Sequence, residues 1–243
     1  MRWQGLVVNY RMVPSTPLDR AAERERMVRE QIAARGVSNR RVLDALRRVP
    51  RELFLTPGSD SHRRAYNDRA QRIAGGQTIS QPYVVALMSE ALALTGTETV
   101  LEIGAGSGYQ TAVLSCLARE VVAIERIPEL AEQAARSLGI FGADNVRLFV
   151  GDGSRGWEPN APYHAILVAA VAPRVPDEYV AQLAPGGRLI LPVGDENAAQ
   201  RLFLLTKAHN GTVTTRDLGS VAFVPLVGAG GFGMPDDLGA MDV

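Results

Sequence analysis

The 243-residue sequence predicts an α/β fold: a doubly wound, mostly parallel sheet with an N-terminal helical extension and an antiparallel edge hairpin. Beyond Gly96, short apolar runs alternate with helical stretches, as in buried parallel strands with helices on both faces. Asn210-Gly211 separates two extended runs near the C-terminus, which indicates a hairpin. Apolar residues make up 46% of the chain, enough for one sizeable core.

The α/β part follows from the period of its apolar residues. Buried strands are predicted over residues 99–103, 120–125, 146–150, 165–169 and 188–193. Helices are predicted over residues 109–117, 128–138 and 177–183. The hairpin strands are predicted over residues 201–207 and 212–224.

The front of the chain has helical spacing. A loose leader covers residues 1–18, and a helix over residues 19–35 places Met27, Val28 and Ile32 on one side, with Gly36 as its stop. A second helix covers residues 40–48, and a third runs from Pro82 to about residue 94 with Ser80 as a plausible N-cap. We therefore expect a leader, helical and loop region (residues 1–80), an α/β domain (81–227) and a flexible Gly-rich tail (228–243), all in one structural unit.

Charge is unevenly distributed although the net charge is zero. Residues 1–72 carry 16 Arg against 8 Asp or Glu. This excess fits either the solvent-exposed faces of amphipathic helices or a surface for an acidic partner. The Arg residues are interleaved with Glu and apolar residues, which favours the exposed helix faces. Cys116 is the single cysteine, so an internal disulfide is excluded. No apolar run reaches the ~20 residues of a membrane span. We expect a monomeric cytoplasmic protein that binds neither membrane nor nucleic acid.

A glycine loop, Leu101-Glu102-Ile103-Gly104-Ala105-Gly106-Ser107-Gly108-Tyr109, follows the first predicted strand, where open α/β sheets bind cofactors. Dinucleotides need G-x-G-x-x-G and place a pyrophosphate on the helix N-terminus. Here the spacing is G-x-G-x-G, and Glu102 would repel a pyrophosphate. A carboxylate there suits the ammonium of S-adenosylmethionine, which has no phosphate, so the pattern favours that cofactor over a dinucleotide.

Two further acids fit the same cofactor. Glu125 ends the next strand, about 20 residues after the loop, where a carboxylate can accept both ribose hydroxyls. Asp152-Gly153 follows the third strand and could receive the adenine amino group, although a plain turn would have the same sequence.

Motifs that the sequence lacks argue against several classes of methyl acceptor. After the fourth predicted strand, where methyltransferases of base nitrogens carry an Asn/Asp-Pro-Pro-aromatic run that stacks on the base, the sequence is Val168-Ala169-Ala170-Val171. Methylation of a base carbon needs a nucleophilic cysteine, and Cys116 lies inside a predicted helix. Nucleic-acid bases are therefore disfavoured as the methyl acceptor. His62, His164 and His209 are scattered, and we expect no metal. Residues 75–82 form a polar Gly-rich segment before the third helix, which the residues alone explain as a loop with a cap.

The sequence resembles the protein-L-isoaspartate (D-aspartate) O-methyltransferases over residues 22–228. The motifs that carry the resemblance are Arg26-Met27-Val28, Val49-Pro50-Arg51, Ala65-Tyr66-Asn67-Asp68, Gly76-Gln77-Thr78-Ile79-Ser80-Gln81-Pro82, Leu101 to Gln110, Ile124-Glu125-Arg126, Gly151-Asp152-Gly153, Ala184-Pro185-Gly186-Gly187-Arg188 and Phe223-Val224-Pro225-Leu226. The Thr-Ile-Ser-Gln-Pro loop and the Val-Pro-Leu run are the most particular to this family.

The resemblance implies a Rossmann-like class I methyltransferase that converts S-adenosylmethionine to S-adenosylhomocysteine. Its substrates would be age-damaged proteins and peptides, methylated on the free α-carboxylate of isoaspartyl residues, with D-aspartyl residues as further acceptors. The ester then collapses to a succinimide. Ser80 would be the catalytic residue, and Thr78 and Gln81 would bind substrate with it. The cofactor site would comprise Gln77, Glu102, Gly104, Ala105, Gly106, Gly108, Glu125, Arg126, Asp152 and Gly153.

The sequence departs from the family pattern at Ala169, Ala222, Val227 and Gln71-Arg72. These departures allow an alternative, a methyltransferase on the same scaffold that acts on one dedicated peptide. A binding module without catalysis is disfavoured by the intact Glu102, Glu125 and Ser80.

Overall fold

The computed structural model describes residues 20–195 and 198–233, so the predicted leader and the tail beyond residue 233 lie outside the described residues. The helices are α1 (Ala21–Arg26), α2 (Arg40–Arg48), α3 (Asp60–Arg63), α4 (Pro82–Ala91), α5 (Tyr109–Ser115), α6 (Pro128–Phe141) and α7 (Asp177–Gln182). The strands are β1 (Gln71–Arg72), β2 (Thr78–Ile79), β3 (Thr99–Ile103), β4 (Glu120–Glu125), β5 (Val146–Val150), β6 (Tyr163–Val168), β7 (Leu183–Gly194), β8 (Gln200–Lys207) and β9 (Val213–Val221).

The main sheet has seven strands in the order β5-β4-β3-β6-β7-β8-β9. Strands β5, β4, β3, β6 and β7 are parallel, and β8 and β9 add an antiparallel edge. The order reverses at β3, which pairs with β4 on one side and β6 on the other. The predicted doubly wound sheet with its edge hairpin is confirmed, and the reversal places a crevice at the carboxyl ends of β3 and β4.

The N-terminal helices share a hydrophobic core with the α/β domain. Met27, Val28 and Leu46 belong to the same buried cluster as Val85 of α4 and Val113 of α5, on one face of the sheet. A second cluster covers the other face between the sheet and α7. The helical extension is therefore held against the sheet by apolar burial.

The first predicted helix continues as different helical turns. Helix α1 passes into a π-helical turn over Met27–Ile32 and a 3-10 turn over Ala33–Arg35. Gly36 ends the run with φ of 101°, as predicted for a left-handed helix stop. The predicted inward face is also confirmed, since Met27, Val28 and Ile32 are buried.

The predicted N-cap of α4 is wrong. Pro82 is the first helical residue, so the cap position falls on Gln81, and no side chain at that position caps the helix. Asp68, 15 residues earlier, supplies the missing acceptor: its Oδ1 accepts from the Tyr83 N–H at 2.9 Å. Ser80 lies too far ahead of the first turn to accept from its N–H groups. The start of α4 is thus capped by tertiary contact.

The chain after β9 turns back over the carboxyl ends of the strands. Val171 and Val224 are hydrogen bonded, and Leu226 N–H donates to Val171 O at 2.8 Å. Residues 228–233, predicted as the start of a flexible tail, hydrogen bond with the loop after β5. No helix within the described ranges is long and apolar enough to cross a membrane.

Candidate active site

A cleft opens at the carboxyl ends of β3 and β4, where the strand order reverses. Its walls come from the glycine loop, the ends of β4 and β5, the loop after β6, the β1–β2 hairpin and the segment after β9. The lining residues are Gln77, Thr78, Ile103, Gly104, Gly106, Ile124, Glu125, Arg126, Ile127, Gly151, Gly153, Ala169, Ala170, Val224, Pro225, Leu226 and Val227.

The glycine loop presents backbone to this cleft. Gly104 and Gly106 line it with φ of 84° and 56°, a region that favours glycine. A Cβ at Gly106 would make an ordinary van der Waals contact with the Ile73 side chain at 3.8 Å, so the positive φ, and not a lack of space, favours glycine here. Gly108 instead packs on α6, where a Cβ would lie 3.2 Å from the Ala134 Cβ. The loop therefore combines two ligand-facing glycines with one that allows helix packing.

Glu125 joins the loop to the end of β4. Its Oε2 accepts from Gly106 N–H at 2.8 Å, and its Oε1 accepts from Ile127 N–H at 2.9 Å. The side chain is nearly buried but lines the cleft. Each oxygen keeps one lone pair, so the carboxylate can still accept two ligand hydroxyls.

Glu102 lies beneath the loop and does not line the cleft. Within the described residues, neither carboxylate oxygen has a hydrogen-bond partner, and the side chain is fully buried. Burial raises the pKa of Glu102 to about 8, and the negative charge of Glu125 adds to the rise while the nearby Thr111 hydroxyl opposes it. The predicted interaction of Glu102 with the ammonium of the cofactor stays a prediction.

Of the two neighbours Asp152 and Gly153, only Gly153 lines the cleft. Gly153 lines the cleft, and a Cβ there would come within 2.8 Å of Ile103 Cδ1, so any other residue would displace the Ile103 side chain. Asp152 does not line it: its Oδ1 accepts from Ser154 N–H at 2.8 Å and its Oδ2 from Ala229 N–H at 2.9 Å. Asp152 therefore anchors the segment after β9. Its predicted contact with adenine stays a prediction.

The opposite wall is the β1–β2 hairpin, in which Gln77 and Thr78 line the cleft. Ile79 is buried between the half-buried Thr78 and Ser80, so Thr78 and Ser80 share the other face of this extended segment. The Ser80 hydroxyl has no hydrogen-bond partner in the described part of the chain. Ser80 is itself outside the cleft lining, but its hydroxyl is available to a ligand on the Thr78 face.

Asp68 organises this wall, although the sequence analysis assigns it no role. Besides capping α4, its Oδ2 accepts from Gln81 Nε2 at 2.7 Å and from Arg35 at 2.5 Å. The Arg35 guanidinium lies 3.5 Å from the centre of the Tyr83 ring. Gln81, predicted to bind substrate, uses its amide to hold Asp68. The position of Asp68 within a family motif was the only sequence signal for this role.

The apolar wall was also missed. Val224 to Val227 line the cleft because their backbone bridges to Val171 after β6. Ala169 and Ala170 complete this side. The Val-Pro-Leu motif signalled the segment, but its place opposite the glycine loop depends on a contact between distant parts of the chain.

The other candidate residues lie elsewhere. Ala105 is buried and does not line the cleft, whereas the exposed Arg126 lines it. His164 Nδ1 accepts from Thr99 N–H at 3.1 Å, a structural role. Burial raises the pKa of the half-buried Cys116 thiol. In residues 20–195 and 198–233, no cluster of three His, Cys, Asp or Glu side chains could hold a metal.

Known proteins share both sequence and fold with this chain. The family model of protein-L-isoaspartate(D-aspartate) O-methyltransferase matches residues 22–231. Protein-L-isoaspartate O-methyltransferase 1 of Rhodopseudomonas palustris is 54% identical over 87% of this chain and 86% of its own length. A solved protein-L-isoaspartate O-methyltransferase is 31% identical with a TM-score of 0.73, over 83% of this chain and 65% of the solved chain. This chain thus spans slightly less than two thirds of that solved protein.

A Plasmodium falciparum structure assigned to the same enzyme class contains S-adenosyl-L-homocysteine. It is 23% identical with a TM-score of 0.72, over 84% of this chain and 97% of its own, and so shows the shared fold. The match of the family model to most of the sequence and the 54% identity show the family. The chain belongs to the protein-L-isoaspartate (D-aspartate) O-methyltransferase family.

Proposed function

We propose that the chain transfers the methyl group of S-adenosylmethionine to the free α-carboxylate of L-isoaspartyl residues in damaged proteins, and to D-aspartyl residues. One observation carries the proposal: a single cleft is lined by the glycine loop with Glu125 on one side and by Gln77 and Thr78 on the other. A methyl donor and its acceptor would meet between these walls. The family membership supports the same activity.

The donor set fits S-adenosylmethionine better than a dinucleotide. Glu125 lines the cleft with a carboxylate that already accepts two backbone N–H groups, and the G-x-G-x-G spacing of residues 104–108 lacks the third glycine position of a dinucleotide loop. Its free lone pairs suit ribose hydroxyls, as predicted from the sequence. Gly104, Gly106 and Gly153 would let the ligand approach the backbone. Gln77 and Arg126 would complete this side of the site.

The methyl donor supplies an electrophilic carbon on a sulfonium, and the acceptor supplies the nucleophile. A substrate carboxylate is already ionised near neutral pH, so this chain needs no strong general base. The residues around the cleft would act by orienting the carboxylate oxygen, the main source of rate in such a displacement. The Ser80 hydroxyl, which has no hydrogen-bond partner among the described residues, would donate a hydrogen bond to the carboxylate, and Thr78 would shape the loop beside it.

The products would be S-adenosylhomocysteine and a methyl ester that collapses to a succinimide, whose hydrolysis returns some chains to normal aspartate. The proposal includes a monomeric enzyme acting in the cytoplasm, apart from membranes and nucleic acid. Sedimentation and cell fractionation test these two points.

The first experiment offers labelled S-adenosylmethionine with paired synthetic peptides, one isoaspartyl and one aspartyl. Several unrelated flanking sequences should be used. We expect base-labile label on the isoaspartyl peptides alone, because an ester forms only on the free α-carboxylate. Equal labelling of both members of a pair would contradict the acceptor, and label on no peptide would contradict the proposal.

The alternative, one dedicated peptide substrate, is favoured by Val227, which departs from the family pattern and lines the cleft. Activity on one flanking sequence and none of the others would support this alternative. Activity on most of them supports broad repair.

A further inference from the structure

An unpaired cation stands beside the substrate loop. Arg72 in β1 is exposed, and its guanidinium has no hydrogen bond or ion pair with any described residue. Only its backbone is held, where Ser61 Oγ donates to the Arg72 carbonyl oxygen at 3.0 Å. An arginine without a protein partner at this position is free to bind a ligand.

The register of the hairpin fixes the direction of Arg72. Arg72 is the cross-strand partner of Thr78, and Gln71 is the partner of Ile79. Gln71 and Ile79 are both buried, so Arg72 and Thr78 lie on the opposite, outward face. Thr78 lines the cleft, which places the Arg72 side chain on the face of the hairpin that borders the site.

Ser80 lies on this face too, two residues beyond Thr78. Diagonal neighbours across an antiparallel pair are about 7–8 Å apart, within reach of a long side chain. The Arg72 guanidinium can therefore approach a peptide whose acceptor carboxylate meets Ser80. It would contact a residue next to the acceptor, since Thr78 and Ser80 occupy the centre of the face.

The surroundings leave this positive charge uncompensated. Asp60 is within 3.1 Å of both Arg63 and Arg64, and Asp68 pairs with Arg35 at 2.5 Å. The local acids are thus already neutralised. A guanidinium binds a carboxylate through two parallel N–H donors, so its natural ligand here is an acidic side chain.

We propose that Arg72 determines substrate specificity by binding an acidic side chain adjacent to the isoaspartyl residue. This inference rests on the proposed function and adds a preference to it. The ion pair forms at an exposed position, so we expect an acidic neighbour to raise kcat/KM by about two- to fivefold over a neutral neighbour. The preference should shrink as salt screens the pair.

The test compares isoaspartyl peptides that differ only in the neighbouring residue: glutamate, glutamine or lysine. The readout is the ratio of kcat/KM for the glutamate and glutamine peptides. Arg72→Gln should bring this ratio to about one, and Arg72→Glu should reverse it in favour of lysine. Arg216→Gln is the matched control, because Arg216 is exposed and unpaired within the described residues but lies on the distant edge strand β9.

The outcomes separate the two proposals. A wild-type enzyme that methylates isoaspartyl peptides with the same ratio as Arg72→Gln overturns the role of Arg72 and leaves the proposed function intact. Equal loss on all three peptides would mean that Arg72 acts on the acceptor carboxylate, which also overturns the inference. A wild-type enzyme that methylates none of the isoaspartyl peptides overturns both.

Discussion

The two walls of the cleft are built in different ways. On the cofactor side, the glycine loop and Glu125 follow adjacent parallel strands: Gly104 N–H donates to the Ile124 carbonyl oxygen, and Gly106 N–H donates to the Glu125 carboxylate. On the substrate side, the Gln77–Gln81 segment is held by side chains from distant parts of the chain, through Asp68 and Arg35. The first wall follows from strand register, and the second depends on packing of the N-terminal helices.

This difference indicates where substitution should separate binding from catalysis. A change on the sheet side should weaken the cofactor complex, because the ligand meets backbone and one carboxylate. A change on the hairpin side should lower turnover and leave cofactor affinity nearly intact. The four variants below test that separation, from the largest expected effect to the smallest.

The largest effect is expected for Ser80→Ala. Loss of one positioned donor to the acceptor carboxylate should reduce kcat by roughly 10- to 1000-fold. The dissociation constant for S-adenosylmethionine, measured by calorimetry, should stay near the wild-type value. Ser220→Ala, which removes an exposed hydroxyl on β9, is the control. Wild-type turnover in Ser80→Ala would remove Ser80 from the mechanism.

Glu125→Ala should act on the other wall. It removes the predicted ribose acceptor and leaves the N–H groups of Gly106 and Ile127 without their partner. We expect cofactor affinity to fall by about 10- to 100-fold, the range for hydrogen bonds to a charged group. Glu129→Ala, an exposed carboxylate in the first turn of α6, is the control. An unchanged calorimetric dissociation constant would exclude Glu125 from the ribose site.

Asp68→Ala tests whether the hairpin wall is held from a distance. The variant loses the cap of α4 and the Arg35 pair, so Ser80 should be less well positioned. We expect kcat/KM to fall roughly 3- to 30-fold, in line with about 0.5–2 kcal/mol for a lost cap. Asp68→Asn keeps an acceptor for Tyr83 and should recover part of the loss.

Asp60→Ala is the control for Asp68, because Asp60 pairs only with exposed arginines on and next to α3. Cofactor affinity should be unchanged in both variants. A parallel loss of cofactor affinity in Asp68→Ala would show general destabilisation and refute the division between the two walls.

The smallest effect on turnover is expected for Glu102→Gln, which should instead change stability with pH. The pKa of Glu102 is raised from its ordinary 4.5 to about 8, so the folded protein holds a proton that the unfolded chain has lost between these values. The free energy of unfolding should therefore fall as pH rises across that window, by some fraction of ~1.4 kcal/mol per pH unit.

Urea unfolding of wild type and Glu102→Gln from about pH 5 to pH 8 measures this dependence. The Gln variant should show a flatter profile, and its stability relative to wild type should grow with pH. Parallel profiles for the two proteins would mean that Glu102 does not hold the proton.

The sequence alone was sufficient for the sheet and the cofactor wall. Short apolar runs in the buried strands, the glycine spacing at residues 104–108 and an acid at the end of the next strand are local features, and parallel register brings them together. Gly104, Gly106, Glu125, Arg126 and Gly153 line the cleft, and their binding of the cofactor stays a prediction. Locality also explains why Gly36 and Asn210-Gly211 correctly marked a helix stop and a hairpin.

Only the tertiary structure decided how the hairpin wall is held and which acidic side chains are buried. The cap of α4 comes from Asp68 and not from Ser80. This contact could not be predicted, because a hydrogen bond between residues 15 apart in the chain leaves no periodic pattern in the sequence. Glu102 was predicted as a ligand contact from its place two residues before Gly104, and Asp152 from its place after a strand, but the Glu102 side chain is fully buried and the Asp152 carboxylate accepts from Ala229 N–H. Side-chain direction and long-range pairing depend on how distant segments pack, because strand position alone does not determine which groups a carboxylate will meet.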